Sequence, residues 1–172
     1  MNETIQNLKT RRCVRAFKPD PVDEALLCEV LEAGTYAPTG GGRQSPVIVA
    51  VRDPETIREL SRMNAAVAGI SGDPYYGAPV VLVVLADRTR GTYLLDGASV
   101  LTTLLNAAHA VGLGSCWIHR AKEMFESGEG KSLLRQWGIE GDYEGIGQAV
   151  IGWAAETPGE PAPRKENYIV RV

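Results

Sequence analysis

The stretch from residue 93 to residue 111 constrains this chain more than any other. Leu94, Leu95, Ala98, Val100, Leu101, Leu104, Leu105, Ala107 and Ala108 spread around most of a helix circumference. A helix that is apolar on nearly all sides must be covered on nearly all sides. It is therefore the centre of a domain or the spine of a dimer. Apolar runs at 47–51 and 80–85 read as buried strands, the second rich in β-branched residues. Further strands are predicted at 115–119 and 149–153, and the alternating segment 168–172 reads as a last one.

Helices are predicted around these strands. Residues 2–10 place Ile5 and Leu8 on one face. Asp23 is a good N-cap for a helix over 25–37, which Pro38 ends. Asp53 followed by Pro54 announces a helix over 54–67, because proline suits the first helical position. Short helices follow at 121–125 and 131–137, around a break at Gly128-Glu129-Gly130. Residues 69–79 hold three glycines, two prolines and Tyr75-Tyr76, and read as a loop that could serve as a lid. Residues 156–165 hold three prolines and should wander over a surface. Helices and strands that do not alternate strictly indicate an α+β fold. At 172 residues, without repeat or linker, residues 1–172 form one domain.

The formal net charge of −3 argues against nucleic acid as a partner, since that requires a basic face. The longest apolar run, residues 78–86, is too short to span a bilayer, so no membrane role is expected. The polar start and the three cysteines, Cys13, Cys28 and Cys116, suggest a cytoplasmic protein with reduced thiols. Against this acidic background the first twenty residues carry five Lys/Arg and two Asp/Glu. Arg11, Arg12, Arg15 and Lys18 lie together, and Arg164-Lys165 forms a second basic pair near the other end. Guanidinium forks suit a phosphate, although a charge run also suits a solvated turn.

Familiar catalytic patterns are missing. Gly130-Lys131-Ser132 lacks the earlier glycine of a P-loop, because position 125 is Phe. Gly112-Leu113-Gly114 lacks the third glycine of a dinucleotide fingerprint. His109 and His119 belong to no zinc-like cluster, and no Gly-x-Ser-x-Gly elbow occurs. On a strand, Cys116 and His119 face opposite sides. A phosphate clamp, a triple-glycine loop at 40–42 and aromatic residues are what the inventory offers. Such a chain suits a cofactor that brings its own reactivity.

Four stretches in order resemble the FMN-dependent nitroreductase family. They are Arg11-Arg12-Cys13-Val14-Arg15-Ala16-Phe17, Ala37-Pro38-Thr39-Gly40-Gly41-Gly42-Arg43-Gln44, Gly112-Leu113-Gly114-Ser115-Cys116-Trp117-Ile118 and Pro163-Arg164-Lys165. The resemblance implies an α/β sandwich with a central, mostly antiparallel sheet flanked by helices. It also implies an intertwined homodimer with FMN at two interface sites. Arg11, Arg12, Arg15 and Arg164 would hold the phosphate, with Cys13 among them and Lys165 adding charge. Thr39, Gly40 and Gln44, on the loop that starts at Pro38, would reach the flavin from the partner chain. Cys116 leads into Trp117, Ile118 and His119, which would pass the isoalloxazine. Asn64 is a candidate for the pyrimidine edge, with an exposed helix residue as the competing reading.

The sequence departs from the family pattern at Cys13, where serine is usual, and at Gly42, where asparagine is common. The aromatic usually found after the loop is also absent, because Ser45-Pro46 follows Gln44. The activity implied is ping-pong electron transfer from NAD(P)H through flavin N5 to a small acceptor such as a nitroaromatic or quinone. A flavin reductase, another redox branch of the family and a non-catalytic FMN-binding or storage protein are the alternatives.

Overall fold

A computed structural model describes residues 2–172. The expected α+β architecture is observed: four strands in one antiparallel sheet, ordered β1-β2-β4-β3, with six α-helices around it. The strands are β1 (Pro46–Val51), β2 (Val80–Asp87), β3 (Gly114–Ile118) and β4 (Tyr143–Gly152). The helices are α1 (Glu3–Thr10), α2 (Glu24–Thr35), α3 (Pro54–Ala68), α4 (Tyr93–Ala110), α5 (Ala121–Glu126) and α6 (Gly128–Gln136).

The sheet has a core on each face. In β2, Val81, Val83 and Leu85 belong to one core, and Val80, Leu82 and Val84 to the other. This alternation is the two-residue period of a strand, and burial on both faces makes β2 read as one unbroken apolar run. α3, α5 and α6 cover the first face, and α2 and α4 cover the second. α3 begins as expected, with the Asp53 carboxylate accepting from Thr56 N–H at 2.8 Å. Asp23 does stand at the N-cap of α2, but its side chain makes no capping bond.

Three expectations need correction. Residues 168–172 form no strand and are exposed, because no sheet edge in this chain receives them. The break at 128–130 is the first turn of α6, where Ser127 Oγ accepts from Gly130 N–H at 3.0 Å. β4 begins at Tyr143, six residues before the run at 149–153, and its glycine-containing start disguises it. Leu94 and Leu95 at the start of α4 are exposed in the single chain, which agrees with the dimer-spine reading of that helix. Residues 69–79 form the expected loop, in which Tyr75 is fully buried and its hydroxyl donates to Gln148 Oε1.

Tyr75→Phe should leave that buried Gln148 oxygen without its partner. The expected loss is about 1–3 kcal/mol of unfolding free energy, read by urea denaturation. A variant as stable as the parent would show that this bond does not hold the loop.

Candidate functional site

Residues 11–18 leave α1 as an extended segment stitched at both ends. Cys13 makes a parallel bridge to Ser115 of β3, with Val14 N–H donating to the Ser115 carbonyl at 3.0 Å. Phe17 bridges Ala154 beyond β4, and Lys18 N–H donates to the Trp153 carbonyl at 2.8 Å. The buried Val14 side chain seals the segment onto the fold. Its basic groups then gather at one edge of β3.

Arg11 Nη1 lies 3.8 Å from Cys13 Sγ. The Arg15 N–H donates to Glu156 Oε1 at 2.5 Å. Arg12 turns elsewhere: its Nη1 donates to the Lys9 and Arg11 carbonyls, each at 2.8 Å, where α1 ends. Cys116, one residue beyond the bridge partner of Cys13, belongs to the apolar core against which Cys13 packs. The Cys116 side chain comes first in lowering the Cys13 thiol to about 5; burial opposes it, and the Arg11 and Arg15 charges assist. Cys13 and burial push the Cys116 thiol up.

Beside this cluster opens a cleft of ≈ 390 Å³ whose lining includes Tyr76, Trp117, Ile118, His119 and Arg120. The Trp117 indole crosses the backbone of Gly147 so closely that an added Cβ there would come within 2.7 Å of Trp117 Nε1. Arg120 has a left-handed backbone, φ 75°, and turns the chain from β3 into α5. Asn64 supports this end of β3 from α3: its Nδ2 donates to the His119 carbonyl at 2.8 Å. Asn64 is fully buried, which excludes the exposed reading, and its Oδ1 has no hydrogen-bond partner. Buried amide oxygens without a donor are uncommon in folded chains, and this is the one such side-chain atom among the described residues.

The glycine loop lies elsewhere in the chain. Pro38 is exposed, Thr39 Oγ1 accepts from Gln44 N–H at 3.1 Å, and Gly40–Gly42 form one 3₁₀ turn. Its anchor is Asp96 in the first turn of α4, a buried residue 3% exposed. The Asp96 carboxylate accepts from Gly40 N–H at 2.9 Å, Ser45 Oγ at 2.7 Å and Thr92 Oγ1 at 3.1 Å. Burial raises its proton affinity, but these three donors outweigh burial and hold the carboxyl below its ordinary range. Gly40 fits only as glycine, since a Cβ would meet Thr92 Oγ1 at 2.3 Å.

Sequence reasoning missed Asp96, although it is the one Asp, Glu, Lys or Arg between residues 93 and 111. Thr39 and Gln44 line a cavity with α2 and β1, not the cleft at Trp117. Arg164 and Lys165 lie on the exposed tail, where Arg164 donates to the Ala162 carbonyl and Lys165 Nζ sits 5.3 Å from the centre of the Tyr168 ring. The structure thus joins Arg11, Cys13, Arg15 and Cys116, places Trp117–His119 and Asn64 beside them, and leaves the glycine loop and basic tail apart.

Residues 8–153 match the model of the nitroreductase family. The chain belongs to the nitroreductase family. A crystal structure of a nitroreductase with bound FMN from Bacteroides fragilis superposes with a TM-score of 0.91 at 25% identity, covering 100% of both chains. A Thermus thermophilus relative named NADH dehydrogenase is 44% identical over 50% of this chain and 40% of its own length. A Bacillus subtilis relative named FMN reductase (NAD(P)H) is 32% identical over 56% of this chain and 36% of its own length. The segment 11–18, β3 and the glycine loop all fall inside the part that matches the nitroreductase family.

Proposed function

We propose that this chain is an FMN-dependent oxidoreductase that takes electrons from NAD(P)H and delivers them to a small acceptor, a nitroaromatic, quinone or similar compound. The observation that carries this reading is the convergence of Arg11 and Arg15 at the edge of β3, next to the cleft walled by Trp117, Ile118 and His119. The FMN in the Bacteroides fragilis structure and the names of the two curated relatives support it. Bound FMN would accept hydride and release electrons; the chain would hold and orient it. Arg11 and Arg15 neutralise and fork onto the phosphate. Asn64 Oδ1, buried and unpartnered, accepts from the imide N–H of the ring. The backbone around Trp117 to His119 stabilises charge gained on reduction. No side chain is assigned as acid or base.

The reading includes a homodimer acting in the cytoplasm. Ile5, Leu8, Leu94 and Leu95 are large exposed apolar residues on α1 and α4, and Ile169 and Val170 on the tail are exposed as well. A second copy covering these surfaces brings Thr39, Gly40 and Gln44, and the tail with Arg164 and Lys165, to the cleft of its partner. FMN titration combined with sedimentation tests this. The expected result is a dimer that binds one FMN per chain. A stable monomer that binds FMN at full occupancy would overturn the shared site.

A further inference from the structure

The geometry points to Cys13 as a site of oxidative modification by peroxides, with Cys116 resolving the product into a Cys13–Cys116 disulfide. The site uses residues of one chain and does not rest on the cofactor reading.

Cys13 and Ser115 are bridge partners, so Cys116 is one residue beyond the paired position. Paired backbones run about 4.8 Å apart and a strand rises about 3.3 Å per residue, so this diagonal pair of Cα atoms is about 6 Å apart, within the roughly 4.4–6.8 Å that disulfides join. Both side chains meet the same apolar core, with Cys116 inside it and Cys13 packed against it. Cys13 is half-buried and open to a small oxidant, whereas Cys116 is 3% exposed. Arg11 Nη1, 3.8 Å from Cys13 Sγ, supplies the electropositive setting that favours the reactive thiolate. Cys28 has no such setting. It is exposed on α2, where desolvation and the Glu24 carboxylate push its thiol up.

The chemistry balances with hydrogen peroxide or an alkyl hydroperoxide as oxidant. The Cys13 thiolate attacks a peroxide oxygen, the O–O bond breaks, and hydroxide or alkoxide leaves and takes up the proton that Cys13 had released. The resulting Cys13 sulfenic acid is attacked by the Cys116 sulfur. An S–S bond forms, and the hydroxyl departs as water with the Cys116 proton. Two thiols lose two electrons, and the peroxide gains them. Closure fastens the segment carrying Arg11 and Arg15 to β3 by a covalent bond.

The test treats the purified full-length protein with stoichiometric hydrogen peroxide, followed by thiol counting and non-reducing peptide mass mapping. The expected result is loss of two of the three thiols and a peptide pair joining Cys13 to Cys116, reversed by dithiothreitol. Cys28 should stay free. Cys116→Ser should stop the reaction at a Cys13 sulfenic acid that dimedone traps, and Cys13→Ser should abolish both products. Should Cys13→Ser not fold, the mapping of the parent protein and of Cys116→Ser still decides. Oxidation of Cys28 ahead of Cys13, crosslinks only between chains, or an unmodified Cys13 would each overturn the proposal.

Discussion

Replacing Asp96 with alanine is expected to lower the unfolding free energy by about 2–6 kcal/mol, because two inward donors lose their acceptor at about 1–3 kcal/mol each. Those donors are Gly40 N–H and Ser45 Oγ, and the second is buried. The loss should concentrate on the glycine loop. Amide exchange at Gly40 to Gln44 should quicken before the sheet responds. Asp96→Asn retains one acceptor oxygen and should recover part of the loss.

The difference between Asp96 and Asn should depend on pH in a fixed sense. The folded carboxyl titrates below its ordinary value. Its contribution is therefore complete above the unfolded pKa of about 3.9 and disappears as pH falls through the lower folded value. Urea denaturation of both proteins should show a gap that is constant near neutrality and closes only in acid. A gap that closes between pH 5 and 7 would mean that the three donors do not hold the Asp96 carboxyl below its ordinary range.

Arg11→Ala is expected to weaken FMN binding roughly ten- to a hundred-fold, the loss of one charge-assisted contact of about 1.5–3 kcal/mol. Arg164→Ala should act similarly when the tail of the partner chain delivers Arg164 to the same phosphate. The double variant should then lose less than the sum of the two, because groups sharing one ligand interact. Riboflavin, which lacks the phosphate, should bind weakly to the parent and be little affected by either change. Isothermal titration reads both ligands. Parental FMN affinity in folded Arg11→Ala would reduce this arginine to a surface charge.

Local signals in the sequence were enough for most of the fold. The β-branched run of β2, the Asp53-Pro54 start of α3 and the apolar rows of α4 each specify their element without distant partners. The basic segment read equally as a phosphate clamp and as a solvated turn, and only the family resemblance favoured the clamp. The illegible parts depend on distant contacts. Asp96 meets Gly40 across 56 residues, and Tyr75 meets Gln148 across 73. Residues 168–172 carry a strand pattern that this chain alone leaves without an edge. Asn64 shows the same limit: a helix pattern could not reveal that it is buried with one unpartnered oxygen.

The most direct test of the central claim is anaerobic stopped-flow absorbance of the purified, FMN-loaded protein mixed with NADH or NADPH. An FMN-dependent oxidoreductase should bleach its flavin band rapidly with at least one of the two, and recover it when a quinone or nitroaromatic is added. A protein that takes up FMN but keeps its oxidised spectrum with both nicotinamides would be a flavin-binding or storage protein, and that result would contradict an NAD(P)H-dependent oxidoreductase.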